Sequence, residues 1–136
     1  MHRALLALLA ALLASGPLRA EGEKIDCDNA MSTYEMNECA GRDFAAADEK
    51  LNATYKKALA AIPDMAVDDP KFDAKSWEEA LRVSQRAWVT FRDAECEGHV
   101  PMFWTGGTGT TVAVTGCKTE LTKSRTKSLK ESYEHE

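Results

Sequence analysis

The sequence predicts an all-α fold: a small antiparallel three-helix bundle, with a Gly/Thr-rich loop between the second and third helices and two disulfides. Three observations carry this. Apolar residues recur at three- and four-residue steps over long stretches, the mark of a helix face. Two Ser-x-x-Glu boxes, Ser32–Glu35 and Ser76–Glu79, open those stretches as helix starts. Four cysteines follow what reads as a secretory leader, in a chain of 136 residues.

The leader comes first. Met1-His-Arg3 is positively charged, Ala4 to Ala14 is an unbroken Ala/Leu run, and Ser15 to Ala20 ends in a small residue. This is the pattern of a signal peptide over residues 1–20. The run falls short of the roughly 20 apolar residues that a retained membrane anchor needs. Cleavage after Ala20 removes Arg3 and Arg19 and no acid, so the formal charge moves from −5 to −7 over the remaining 116 residues. Residues 21–136 then read as one periplasmic or secreted domain, with no membrane insertion once the leader is gone. An acidic domain of this size argues against nucleic acid and anionic membranes as partners.

The first helix is expected over Thr33–Ile62, because Phe44, Ala47, Leu51, Tyr55, Ala58, Leu59 and Ile62 share one face and Pro63 follows. Residues 63–75 hold two prolines and four aspartates and read as a connection. Trp77, Leu81, Ser84, Trp88, Phe91 and Glu95 define the second helix, from the Ser76 cap to near Gly98. Between Phe103 and Cys117 the chain is uncharged and rich in glycine and threonine. "TTVAVT", Thr110 to Thr115, favours strand locally, but it has no partner strand. A third helix from about Gly109, with Thr108 as a cap, continues the face of Val114, Cys117, Leu121, Arg125, Ser128, Leu129 and Ser132. The charged end, Lys130–Glu136, is expected to fray.

Cys27, Cys39, Cys96 and Cys117 allow three pairings. Cys27 can fold back onto the second turn of the first helix, and Cys96 and Cys117 flank one loop. That favours Cys27–Cys39 with Cys96–Cys117. All four lie toward one end of the bundle, so a crossed pattern stays open. Their spacings are not those of a zinc site, and no metal or cofactor is expected.

Three charges fall on apolar faces: Asp48, Arg92 and Arg125. A buried charge is costly unless paired, so Asp48 is expected to join one or both arginines in a structural ion cluster, with Asn52 one turn away to help. An arginine neighbour lowers a carboxyl pKa and spoils it as a general acid. A glycosidase needs two such acids across a cleft. Nucleophilic triads lack a suitable histidine. "GGTGTT" lacks the lysine and the preceding strand of a phosphate loop. The chain therefore reads as a binding protein rather than an enzyme.

Taken together, "C…EMNECA…ADEKLNATYKKAL", "QRAWVTFRDAEC" and "GGT…C…LTKSRTKSL" resemble the LprI-like lysozyme-inhibitor family over roughly Cys27 to Leu129. Cys39, Asp48, Leu51, Asn52 and Tyr55 match the first block. Trp88, Arg92 and Cys96 match the second, and Gly106, Gly107, Cys117, Leu121, Thr122 and Arg125 the third. The resemblance implies a helical, disulfide-bonded envelope protein and, for some members, inhibition of lysozyme. A basic muramidase would be drawn to an acidic surface. The expected contact is the segment from Glu97 to Thr108, with His99, Met102, Phe103, Trp104 and Thr105 as its binding residues. The other reading is a structural or stress-related envelope protein that binds something else.

Overall fold

The computed structural model describes residues 24–134, so the signal peptide expected over residues 1–20 lies outside the described residues. Every regular element among the described residues is helical. A 3-10 turn at Cys27–Asn29 precedes α1 (Thr33–Met65). Then come α2 (Ala74–Asp93), a π-helical segment (Ala94–His99), α3 (Val100–Trp104) and α4 (Thr110–Tyr133). "TTVAVT" opens α4 rather than forming a strand.

α1 starts where the sequence says. The Ser32 hydroxyl accepts from Glu35 N–H at 3.1 Å, and the Glu35 carboxylate accepts from Ser32 N–H at 2.8 Å. These bonds hold the Glu35 carboxyl below its ordinary range, the backbone N–H of Ser32 contributing most. α1 runs about 50 Å at 1.5 Å per residue and does not stop at Pro63. Proline removes one N–H and strains one turn, but Ile62 is fully buried and Ala66 N–H reaches its carbonyl at 2.9 Å, so the last turn closes around the ring.

The second helix also starts earlier than expected. Its cap is Asp73, whose carboxylate accepts from Ser76 N–H at 2.7 Å; the Ser76 hydroxyl turns instead to the Pro70 carbonyl at 3.1 Å. An aspartate caps as well as a serine, and here it gives the helix a further turn. Nor does the charged C-terminal segment fray as expected over Lys130–Tyr133, the last two expected residues lying outside the described residues. α4 is helical through Tyr133, whose hydroxyl accepts from the Trp77 indole N–H at 3.0 Å. The half-buried Tyr133 ring packs on the core and ties the last turn down.

α2 runs antiparallel to α1 and α4, which are parallel to one another. Arg92 lies beside Asp48 and Cys96 is joined to Cys117 at one end; Trp77 meets Tyr133 and Lys57 meets Glu134 at the other. Leu51, Ala58, Ile62, Leu81 and Leu129 form the core, with Tyr55, Leu59, Trp77, Trp88 and Tyr133 against it. The face of α4 is only partly the one expected: Leu129 is buried as expected, while Ser128 and Ser132 are exposed. Its buried residues are Thr119, Thr122, Thr126 and Leu129. Thr119 and Thr126 donate their hydroxyls to the carbonyls four residues back, each at 2.9 Å. With the hydroxyl bonded to its own backbone, a threonine can pack its methyl group much as a valine would. Such short side chains let α4 lie close along the small buried positions of α1, Ala47, Thr54 and Ala58. The expected positions Leu121 and Arg125 flank this seam and are only half-buried.

Candidate functional site

The site lies at the disulfide end of the bundle, where α2 passes into α3. The second helix does not end near Gly98, and the segment Glu97–Thr108 is mostly not a loop. The chain widens into a π-helical turn over Ala94–His99 and returns to α-geometry up to Trp104. Val100 N–H bonds to the Glu95 carbonyl, five residues back. Pro101 supplies a reason: in α-geometry its ring crowds the carbonyl four residues back, and a wider turn relieves that clash. Only Thr105–Gly109 is irregular. Thr105 (φ 48°) and Gly106 (φ 73°) are left-handed and end the helix, and Gly107 N–H bonds to the Trp104 carbonyl at 2.9 Å. Thr108 does not cap α4. Gly109 occupies the cap position, and the Thr110 hydroxyl bonds to the Gly107 carbonyl at 2.7 Å.

The expected binding residues share this tip. Met102 is 71% exposed and Phe103 74%. His99 stands one turn before Phe103, with its ring edge-on to the phenyl at 4.9 Å and its Nδ1 3.0 Å from the Glu95 carboxylate. Positions 99, 102 and 103 fall on one helical face. Trp104 behaves differently. It is half-exposed and lies over Gly109, where a Cβ would clash with the edge of the indole ring. A side chain at Gly109 would push the indole aside, and Trp104 is part anchor of the loop, part surface. Thr105 is exposed at the helix end.

Beneath the tip is a charged node. The disulfides are Cys27–Cys39 and Cys96–Cys117, as preferred from sequence. The second joins the buried Cys96 of the π turn to α4. Arg92 is buried between the rings of Trp88 (5.2 Å) and Phe44 (5.4 Å). Its Nε donates to Asp93 at 2.9 Å, and its NH1 lies 3.6 Å from Asp48. Asn52 donates to the other Asp48 oxygen at 2.9 Å. Lys118 sits over the opposite side of the node, 2.6 Å from Glu97, 3.7 Å from Asp93 and 5.1 Å from the Phe44 ring. Partial burial pushes the Asp93 carboxyl up, but hydrogen bonding and charge from Arg92 and Lys118 together outweigh it and hold the group below its ordinary value.

Arg125 does not join this cluster. Its guanidinium bonds to Gln85 Oε1 at 3.0 Å and Ser84 Oγ at 3.1 Å, about 10 Å further along α2. Neutral oxygens take the place of an acid there, and burial pulls the group down from its ordinary value. Sequence reasoning also passed over Asp93, Glu97 and Lys118. The signal was present. Glu97 follows Cys96 and Lys118 follows Cys117, so joining the cysteines makes the pair adjacent.

Among the described residues, no group of three or more His, Cys, Asp or Glu is placed to hold a metal. No helix among them is long and apolar enough to cross a membrane. The arrangement sets exposed apolar side chains on a short helix beside a disulfide and a half-buried ion network.

A family model described as lysozyme inhibitor LprI matches residues 27–129. An uncharacterised protein of Rhizobium meliloti (strain 1021) is 38% identical over 136 residues, covering 98% of this chain and 97% of that protein. No solved structure matches.

Proposed function

The chain belongs to the LprI lysozyme-inhibitor family, and from that premise we propose that it is an extracytoplasmic protein that binds and inhibits a muramidase through the α3 tip. The observation that supports the tip as the contact is the exposure of Met102 and Phe103 on a turn that the Cys96–Cys117 bond and the Lys118–Glu97 pair hold in place. Large apolar side chains normally gain by burial. Two adjacent ones held out on a rigid turn suit a partner that can cover them, and rigidity lowers the ordering cost of binding. An acidic chain approaching a basic enzyme gains in association rate.

The test is a cell-wall turbidity assay with the purified mature protein and a basic lysozyme. Replacing Met102 and Phe103 together with alanine is expected to weaken inhibition at least about tenfold, the scale of losing an interface hot spot. The thermal midpoint should stay nearly fixed. Full inhibition by a well-folded double variant would move the contact elsewhere. No inhibition by the native protein would remove the muramidase from the reading altogether.

A further inference from the structure

None of the described residues covers the outer face of α2. Ala80, Val83, Ala87, Thr90 and Ala94 recur at three- and four-residue steps, with alanine at every seventh position, and all five are exposed. The bundle uses the other side of the helix, through Leu81, Trp88 and Arg92. Three further features give this face a direction. At the N-terminal end of α2, Val67, Phe72, Trp77 and Ala80 line an open, mainly apolar groove of about 400 Å³. Near the C-terminal end, Phe91 is 55% exposed. Glu79 and Arg86 run along one edge of the face; they pair at 3.3 Å across seven residues while both stay about two-thirds exposed.

We propose that this face binds a second copy of the chain, α2 against α2, antiparallel about a twofold axis. A twofold interface must complement itself, and here one register brings together the groove, Phe91 and the charged edge, with Ala94 left beyond the overlap. Setting Ala80 against Val83 of the second copy brings Phe91 to the groove at Phe72 of the second copy. It also brings Glu79 to Arg86 of the second copy. Symmetry makes each contact twice. The two ion pairs within the helices, one in each copy, are exchanged for two between them, as at the flanks of antiparallel helix pairs. Sliding by one heptad sets Arg86 against Arg86, which like-charge repulsion opposes. A parallel pairing sets groove against groove and Phe91 against Phe91. The alanines let the helix axes approach to the short end of the usual 8–10 Å range. The α3 tips then point away at opposite ends, so this inference does not rest on what the tip binds.

Sedimentation equilibrium of the purified mature protein over a dilution series tests it. A concentration-dependent monomer–dimer equilibrium is expected. Val83→Glu, next to the twofold axis, should be monomeric throughout. Glu79→Arg and Arg86→Glu should each weaken the dimer by about tenfold, and the double reversal should recover it. Recovery cannot come from damaged folding, so it guards the result if Val83→Glu folds poorly. A protein monomeric at every concentration overturns the proposal. So does a dimer indifferent to Val83→Glu and to both charge reversals. Met102→Ala with Phe103→Ala should leave the dimer intact, which separates this interface from the tip.

Discussion

Arg92 carries a charge into the bundle and is satisfied there by two acids of unequal standing. Asp93 makes close contact through two nitrogens, whereas Asp48 sits at 3.6 Å and is 42% exposed. Asp48→Ala therefore leaves the guanidinium paired and should cost about 1 kcal/mol, the scale of an exposed ion pair. Removing Asp48 and Asp93 together strands a buried cation and should cost about 3–5 kcal/mol, more than the two single changes combined. Chemical denaturation of the three variants measures that excess. The same residue sets an acid limit. A carboxyl whose folded pKa lies below its unfolded one adds stability that is full above about pH 4 and is lost as pH falls through the folded value. Asp93 is in that position. Thermal midpoints measured between neutral and strongly acid pH should fall less steeply below about pH 4 in Asp93→Asn than in the native protein.

Among the elements, α4 has the least expected packing. Its threonines fill the seam against α1, and two of the three hydroxyls are absorbed by the preceding turn. The third, on the fully buried Thr122, has no partner among the described residues. Replacing an unpaired buried hydroxyl by a methyl of the same shape is neutral to favourable. Thr122→Val is thus expected to stabilise by up to about 1 kcal/mol, read as a raised thermal midpoint; a lowered one would mean that the hydroxyl is bonded. The π turn is the other informative element. Gly98 reads as a helix end in sequence, because glycine discourages α-geometry, and Pro101 follows three residues on. The chain satisfies the proline by widening the helix instead of leaving it. That single turn converts an expected loop into a rigid helical tip.

For the whole molecule, the two disulfides have separate tasks. Cys96–Cys117 fastens the tip to α4, while Cys27–Cys39 closes the 3-10 turn onto the first turns of α1. Each removes about 3 kcal/mol of loop-closure entropy from the unfolded chain. Cys96→Ser with Cys117→Ser should lose both stability and inhibition. Cys27→Ser with Cys39→Ser should lose stability and keep inhibition in the surviving folded fraction. Equal loss of inhibition from both would detach the tip from the contact. Inhibition resting on charge attraction should also weaken with added salt, through the association rate more than the dissociation rate.

The sequence by itself determined the parts that local chemistry controls. Periodicity and the Ser32 box placed α1. Cysteine positions favoured the observed pairing over its rivals, and the charges at Asp48 and Arg92 marked the node before any geometry was known. It could not say which of two legal caps starts α2, because Asp73 and Ser76 both suit the position and only the packing of the connection chooses. It could not find the seam of α4, because threonine counts as polar until its hydroxyl is bonded to the helix. Arg125 looked like a partner for Asp48 on its own helix face. Which residue lies across from it depends on how two helices align, and that is fixed by packing between elements distant in sequence. The exposure of Met102 and Phe103 belongs to the same class. Whether an aromatic turns inward or out is decided by where the core ends, and only the assembled bundle has an end.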